Sequence, residues 1–303
     1  MNNNTSTSPA QSYADAVRRI EALQALDNAP EVDPRSAMIF LSHGARTERA
    51  ILLLHGYTSS PRCYIKLAAE FFQVGYNVLV PRFPYHGMKD RMTTALANQT
   101  GQELLSFTNS AMDIMQGLGE QVTVAGLSMG GVLTLWAATH RDDISLACAI
   151  APALAFHAIP LALTAVAAQS FLLLPDQFRW WDEKTRDEPL PPLHAYPRYA
   201  THGLAQFVRI GLKIRGNSRH TPPRAGSVLM VLNPTDEHVN NAYAHEIVEH
   251  WNALGAPGIR LYEFDAHYKL KHDLIDPDQA DQQTDLVYPI LLELITGKPQ
   301  HTL

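Results

Sequence analysis

The chain has 303 residues, of which 46% are hydrophobic and 18% charged, and its formal net charge is −6. This length and composition predict a globular protein with a substantial buried core, built as one large domain or two smaller ones. The charge is mildly negative, and no run of Lys or Arg exceeds two residues. These features argue against nucleic acid as a partner.

The polar start of the chain lacks the basic and then apolar pattern of a signal peptide. The only two cysteines, Cys63 and Cys148, each lie in a hydrophobic stretch. In a protein without an export signal, two free and buried thiols are expected rather than a disulfide. The sequence therefore predicts a cytoplasmic protein.

Residues 1–35 are expected to form a polar tail and an N-terminal helix that docks on the body. The helix is predicted at 12–26, where Ser12 opens a Ser-x-x-Asp capping pattern. Val17, Ile20 and Leu23 follow at helical spacing and give the helix one apolar face.

From residue 37 onward, short apolar runs alternate with helical stretches. Strands are predicted at 37–42, 50–55, 77–81, 122–126, 146–151, 227–232 and 259–264. Helices are predicted at 62–75, 100–118, 130–140, 240–253 and 281–296. This alternation indicates an α/β fold with a mostly parallel, doubly wound sheet. The link between the first two strands is too short for a crossover, so those strands are expected to be antiparallel.

Residues 154–225 interrupt this alternation with Pro-rich, aromatic and helical pieces and no clear strand. We predict a helical cap there, inserted between two parts of the core, residues 36–153 and 226–303. Such a cap would sit at the carboxyl edge of the sheet, where ligands bind in these folds. The apolar stretch 155–174 has about the length of a membrane span, but it contains His, Pro and Gln, so no stable span is expected.

Some of the cap's large apolar side chains are expected to line a pocket for an acyl group, while others pack the cap on the core. The candidates are Phe171, Leu172, Leu173, Leu174, Phe178, Trp180, Trp181, Tyr196 and Tyr199.

A G-x-S-x-G pattern at 126–130 lies between a predicted strand and a predicted helix. The small residues allow a sharp turn that exposes the hydroxyl of Ser128 beside the start of the helix, so Ser128 is the candidate nucleophile. The same glycines do not fit a phosphate-binding loop, because Gly130-Gly131 leads to Val132 and not to Lys. The spacing also differs from a dinucleotide-binding fingerprint.

A serine nucleophile needs a base, and the base needs an orienting acid. In chain order the acid should precede the histidine. Asp236, in the polar loop after the strand at 227–232, is the preferred acid, with Glu237 as second choice and a helix N-cap as the alternative role for Asp236. His272 is the preferred base, and His267 remains an alternative.

The oxyanion that forms in acyl transfer needs two backbone donors. We expect the amides of Met129, directly after the nucleophile, and of Tyr57, in the loop after the second strand, to supply them. His55, just before that loop, is expected to bond the loop backbone and not to act as a base. The histidines of the HEIVEH stretch at 245–250 are five residues apart, so they do not share a helix face and predict no zinc site.

Together these segments resemble the α/β-hydrolase superfamily, and they look closest to its carboxylesterase and monoacylglycerol lipase branch. The resemblance covers about residues 36–153 and 226–300 and rests on five pieces of sequence. They are LLLHGYTSS (52–60), PRFPYHGM (81–88), GLSMGG (126–131), the Asp236 loop and HDLID (272–276).

In this superfamily the catalytic histidine precedes a short apolar run and an acid, which favours His272, although the long stretch at 265–271 leaves His267 open. The resemblance implies an α/β-hydrolase fold and a two-step acyl transfer on a small ester with an apolar acyl group, such as a short or medium acyl ester or a monoglyceride. No metal or cofactor is implied. Amide or C–C bond hydrolysis and non-catalytic ligand binding are the alternatives, and the oligomeric state stays open.

Overall fold

A central sheet organises the computed structural model, which describes residues 8–186 and 191–298. The strands in the described residues are β1 (Ile39–Leu41), β2 (Thr47–Leu54), β3 (Tyr76–Val80), β4 (Gly119–Leu127), β5 (Leu146–Ile150), β6 (Phe178–Trp180), β7 (Arg198–Ala200), β8 (Val228–Leu232) and β9 (Ile259–Glu263). Seven of them form the central sheet in the order β1-β3-β2-β4-β5-β8-β9. All neighbours in this sheet are parallel except β1 and β3. The α/β-hydrolase fold expected from the sequence is thus present.

The connecting segments carry the helices. In chain order they are α1 (Tyr13–Ala25), α2 (Ile65–Gln73), α3 (Gly101–Met115), α4 (Met129–His140), α5 (Thr164–Leu173), α6 (Thr201–Ser218), α7 (Ala242–Ala253) and α8 (Thr284–Thr296). Capping residues define the N-termini of two of these helices. At α1 the Ser12 hydroxyl accepts from the Asp15 N–H, and at α3 Thr100 forms a capping box with Glu103. The helix predicted at 12–26 is confirmed, with Ile20 buried.

The first two strands run antiparallel as predicted, but they are not neighbours. β1 pairs with β3 in antiparallel register, and β3 lies between β1 and β2. The side chain of Asn77 on β3 holds the connection in place, since it accepts from the His43 N–H and donates to the Ala45 carbonyl.

The interior of the sheet accounts for the apolar runs in the sequence. Every residue of β3, β5 and β8 is buried, as expected for strands covered on both faces. The edge strand β9 is only partly covered. Cys63 and Cys148 are both free and buried, which confirms that expectation.

The segment after β5 contains two strands that the sequence did not predict. β6 and β7 pair as a two-stranded antiparallel sheet of three residues each. Helix α6 of the same segment packs on α4 of the core as well as on α5. In the residues that the structure describes, no helix is long and apolar enough to cross a bilayer, and α5 is only 10 residues long.

Parallel pairing brings the ends of the central strands to one edge. Leu127 at the end of β4 pairs with Ile150, and Leu232 at the end of β8 pairs with Glu263 at the end of β9. The turn after β4 and the loops after β8 and β9 therefore meet at the carboxyl edge, beneath the segment inserted after β5.

Candidate active site

Ser128 occupies the turn between β4 and α4 in a strained backbone conformation. Its φ is +57° and its ψ is −113°, a region that non-glycine residues rarely adopt. The turn is held on both sides, because the Ser128 N–H donates to the Ile150 carbonyl at 2.9 Å and its own carbonyl accepts from Val132 at 3.1 Å. The side chain stands at the carboxyl edge of the sheet, with 8% of the residue exposed.

Glycine is required on each side of Ser128 by close backbone packing. A Cβ at Gly126 would lie 2.2 Å from the Gly130 carbonyl oxygen, and a Cβ at Gly130 would lie 2.0 Å from the Leu54 carbonyl oxygen. Neither neighbour is a flexible side chain, so neither contact is relieved by a rotamer change. The glycine spacing predicted from the sequence thus has a steric cause.

Asp236 and His272 form a buried pair at the same edge. Asp236 Oδ2 lies 2.7 Å from His272 Nδ1, and the two side chains are 1% and 11% exposed. The other carboxylate oxygen accepts from the backbone N–H groups of His238 (2.8 Å) and Val239 (3.0 Å). Asp236 is therefore not a helix N-cap, since α7 begins at Ala242 with Asn241 as its N-cap; its second oxygen bonds the loop backbone instead.

The contact between Asp236 and His272 favours the charged form of each, so the pKa of His272 is raised and that of Asp236 is lowered. Burial lowers the pKa of His272, but the charge and hydrogen bond of Asp236 outweigh burial and raise this pKa to about 9. Burial raises the pKa of Asp236, but the charge and hydrogen bond of His272 and the two backbone N–H groups hold it below its ordinary value. The neighbouring ring of His238, 5.3 Å from that of His272, has a lowered pKa because of burial and the charge of His272.

Neither alternative residue takes the place of Asp236 or His272 in that pair, although Glu237 lines the cavity described below. His267 is 65% exposed at its side chain and pairs with Asp265 at 2.7 Å, away from the cavity described below. Glu237 is largely exposed and lies 4.0 Å from Lys271. The structure thus brings Asp236 and His272 together and leaves His267 and Glu237 apart from that pair.

The β2 loop, residues 55–60, passes directly beside Ser128. A Cβ at Gly56 would lie 3.5 Å from the Ser128 Cβ, so Gly56 packs against the Ser128 turn. Tyr57 is the next residue of the loop. Met129 is the first residue of α4, and its N–H therefore has no partner within the helix. His55 bonds backbone as expected, with Nδ1 2.9 Å from the Gly56 carbonyl oxygen and Nε2 accepting from Phe83.

Thr58 in the β2 loop has a φ of +65°, which is unusual for a β-branched residue and costs about 1–3 kcal/mol. The inserted segment contacts this residue twice. Trp181 Nε1 donates to Thr58 Oγ1 at 2.9 Å, and the Tyr196 N–H donates to the Thr58 carbonyl at 2.8 Å. Sequence reasoning did not identify Thr58, since nothing in the sequence marks a threonine with positive φ.

One cavity of about 640 Å³ connects these groups, and both Ser128 and His272 line it. Its volume is typical of small-molecule sites. The inserted segment contributes mostly apolar residues together with Arg179 and Asp182, and the loops after β8 and β9 contribute polar groups, including His238, Asp273 and Gln279. Of the aromatic and leucine candidates, those that line the cavity are Phe171, Trp180, Trp181, Tyr196 and Tyr199. Leu173 and Leu174 are instead exposed, at 75% and 57%.

Besides Ser128, His272 and Asp236, the structure contains another set of these residue types, here called the second Ser-His-Asp chain, which was not foreseen from the sequence. Ser60 Oγ is 3.1 Å from His194 Nδ1, and His194 Nε2 is 3.0 Å from Asp276 Oδ2. All three residues are buried and none lines the cavity. Only Asp276 had a sequence signal, as the acid of the HDLID stretch.

Two members of the second chain belong to a group of three residues whose side chains are metal-ligand types. Ligand atoms of His194, Asp276 and Asp278 lie within 4.8 Å of one another. Each already has a protein partner, since His194 donates to Asp276 and Arg62 Nε donates to Asp278 at 2.7 Å. The histidines of the HEIVEH stretch have separate partners, Glu263 for His245 and Ser218 for His250.

With the fold and this geometry in view, comparison with known proteins identifies the family. The profile of the alpha/beta hydrolase family matches residues 51–281, well over half of the chain. This protein belongs to the alpha/beta hydrolase family, as its sequence motifs predicted.

The relatives are lipases and esterases. The chain is 30% identical over 168 residues to a thermostable monoacylglycerol lipase of Bacillus sp. (strain H-257), a match that covers 53% of this chain and 60% of that protein. The chain therefore matches less than two thirds of that relative's length. Two solved structures share the fold. One comes from work on the metagenome-derived lipolytic enzymes LipS and LipT (20% identity, TM-score 0.66, 88% of this chain and 100% of that chain), and the other is a Paleococcus ferrophilus monoacylglycerol lipase (15% identity, TM-score 0.65, 86% and 98%).

Proposed function

We propose that this protein hydrolyses carboxylic esters through a covalent acyl intermediate on Ser128. The observation that carries the proposal is the buried Asp236–His272 pair, held at 2.7 Å, beside a cavity that Ser128 also lines. Ser128 attacks the ester carbonyl, His272 accepts its proton and passes it to the leaving alcohol, and Asp236 stabilises the imidazolium. Water then releases the acid by the same steps in reverse order.

The negative charge of each tetrahedral intermediate falls next to the start of α4. There the N–H groups of Met129 and Tyr57 act as donors to the oxyanion, and the positive end of the α4 dipole adds to them. The strained Ser128 turn supports this role because it directs the hydroxyl away from the helix and toward the cavity.

The substrates are esters with an apolar acyl chain, including medium-chain esters and monoglycerides. The cavity supports this choice, since apolar residues of the inserted segment face polar groups such as His238 and Asp273 across one space. A monoglyceride has the same division, an acyl chain with two hydroxyl groups at one end. The relationship to a monoacylglycerol lipase over part of the chain supports it further.

Ser60 in the second Ser-His-Asp chain is the other candidate nucleophile, and two observations favour Ser128. Ser60 is fully buried and does not line the cavity, so no ester carbonyl reaches its hydroxyl. Ser128 also has a strained turn, with a φ of +57°, whereas Ser60 has an extended backbone with a φ of −146° before a short 3-10 helix.

The test uses p-nitrophenyl esters of four to twelve carbons and a monoacylglycerol, with the wild type, Ser128→Ala and Ser60→Ala. We expect the wild type to hydrolyse the esters and Ser128→Ala to lose this activity, and a serine-directed phosphonate to leave its adduct on Ser128 by mass spectrometry. An adduct on Ser60, or equal rates for wild type and Ser128→Ala on every ester, would show that the proposal is wrong. Activity on amides alone would support the amide hydrolase alternative.

A further inference from the structure

Three positions of the β2 loop are hydrogen-bonded to one short piece of the inserted segment, residues 191–200, here called the cap strap. The contacts are Tyr57 Oη with the Ala200 carbonyl (3.0 Å), the Tyr196 N–H with the Thr58 carbonyl (2.8 Å), and Ser60 Oγ with His194 Nδ1 (3.1 Å). The loop that carries the proposed oxyanion donor is therefore held from above by the cap strap.

His194 is the member of the cap strap that also contacts the base side of the site. Its Nε2 donates to Asp276 Oδ2 at 3.0 Å, in the loop that follows β9 and carries His272. Asp276 lies four residues after His272 and is fixed by its own N–H, which donates to the Asp273 carbonyl at 3.0 Å. One imidazole thus connects the oxyanion loop with the base loop.

His194 contacts one partner with each ring nitrogen. A carboxylate only accepts, so Nε2 donates to Asp276, and Nδ1 lies 3.1 Å from the Ser60 hydroxyl oxygen. Ser60, His194 and Asp276 are all buried, so no water competes for these contacts. The arrangement has one low-energy geometry and fixes the distance between the two loops.

The β2 loop needs such support because its backbone is strained. Thr58 holds a positive φ, a conformation that persists only when surrounding contacts impose it. Tyr57 precedes Thr58 directly, so relaxation of Thr58 would rotate the Tyr57–Thr58 peptide plane, which adjoins the Gly56–Tyr57 plane that holds the Tyr57 N–H.

We propose that His194 is a positioning residue: from the cap strap it holds the β2 loop and the loop of His272 in the relative placement that the oxyanion and the base require. This inference rests on the proposed ester hydrolysis at Ser128. It assigns no contact between His194 and substrate. Its loss is expected to act on the transition state, where the oxyanion develops, and to leave ground-state binding in the cavity unchanged.

Two variants test this role with little risk to folding. Ser60→Ala removes the hydroxyl alone, and His194→Gln keeps an amide donor for Asp276 but replaces the rigid imidazole that joins Asp276 to Ser60. For each we expect kcat on p-nitrophenyl butyrate to fall roughly tenfold to hundredfold, with KM within about twofold of wild type. The rate of Ser128 phosphonylation should fall in the same proportion, because the phosphoryl oxygen occupies the oxyanion position. The double variant should be no worse than the poorer single one.

Tyr243→Phe is the matched control. Its hydroxyl donates to the Leu161 carbonyl at 2.7 Å and so also joins the inserted segment to the core, but Tyr243 does not line the cavity. We expect Tyr243→Phe to lower Tm about as much as Ser60→Ala does, but to leave kcat unchanged. An equal loss of kcat in Tyr243→Phe, or wild-type kcat in both Ser60→Ala and His194→Gln, would overturn the positioning role.

Ser128→Ala, measured in parallel, separates this inference from the proposed function. An inactive Ser128→Ala with fully active Ser60→Ala and His194→Gln contradicts the inference alone, whereas an active Ser128→Ala contradicts the proposed function. Dialysis against EDTA followed by Zn²⁺ addition checks the metal-ligand alternative for His194, Asp276 and Asp278. Loss and recovery of kcat in that experiment would overturn a purely hydrogen-bonding role, and unchanged kcat supports it.

Discussion

Asp236 Oδ2 and His272 Nδ1 lie 2.7 Å apart, although 36 residues separate them in the sequence. Their loops follow β8 and β9, which pair in parallel and end together at Leu232 and Glu263. The second oxygen of Asp236 is occupied by two backbone N–H groups, so the carboxylate presents one fixed oxygen to the imidazole. The sheet thus creates an oriented, buried charge pair from two residues that the sequence places far apart.

Replacing Asp236 should lower both the rate and the pKa of its partner. In Asp236→Asn we expect kcat to fall by roughly 10⁴-fold, since the amide favours the wrong imidazole tautomer and no longer stabilises the imidazolium. The pKa of His272 should drop, so the acid limb of the residual kcat/KM profile should move to lower pH. The measurement is kcat/KM for an ester across pH 5 to 10.

Asp265→Asn is the control for that variant, because Asp265 also pairs with a histidine, His267, at 2.7 Å but at an exposed position. We expect its activity to equal that of the wild type. A large loss in Asp265→Asn or His267→Ala, with an active Asp236→Asn, would reverse the assignment of the base.

The pH profile of the wild type follows from the raised pKa of His272. The imidazole accepts a proton from Ser128 only when neutral, and with a pKa of about 9 it is protonated at neutral pH in the free protein. We therefore expect kcat/KM to rise about tenfold per pH unit below that value and to level off above it. Subtraction of the Ser128→Ala rate removes spontaneous ester hydrolysis. An acid limb centred at or below the ordinary histidine pKa would contradict this expectation.

Much of the fold could be predicted from the sequence because its central strands are fully buried. β3, β5 and β8 appear as continuous apolar runs, and all seven predicted strands are present in the sheet. β6 and β7 escaped prediction because three residues are too few to show a period, and they are held by pairing with each other. The neighbour of β1 was missed because strand order depends on contacts far along the chain.

In the candidate site, too, some residues could be predicted from the sequence and others could not. The position of Ser128 was predictable because close backbone packing requires glycine on both sides of it, and this requirement is visible as a short local sequence pattern. The contact of Ser60 with His194 joins residues 134 apart, and no local pattern encodes it. The positive φ of Thr58 opposes its own propensity and is set by Trp181 and Tyr196 from the cap.

The close packing around the glycines beside Ser128 gives a prediction about stability. In Gly130→Ala the new Cβ would meet the Leu54 carbonyl oxygen at 2.0 Å, so we expect the protein to be insoluble or to lose several degrees of Tm together with its activity. Gly216→Ala is the control, since Gly216 lies in α6 with nothing within 4 Å of the added Cβ. That variant should gain up to about 1 kcal/mol in free energy of unfolding, because alanine has the higher helix propensity. Thermal and urea unfolding measure both, and a Gly130→Ala protein as stable as wild type would contradict the close packing at the turn.

Helix α6 offers a test of where the acyl chain binds. Leu204, Phe207 and Val208 line the cavity from this helix, which packs on the core through α4 and is therefore a fixed wall. Val208→Phe would fill part of the 640 Å³ cavity and leaves Ser128, Asp236 and His272 unchanged. We expect kcat/KM for p-nitrophenyl dodecanoate to fall by about tenfold or more while that for the acetate stays within about twofold, because one lost site for apolar contact is worth roughly 1–3 kcal/mol. Equal losses on both esters would mean that the acyl chain lies against another wall of the cavity, and the same pair of esters measured with Phe171→Trp would test the opposite wall.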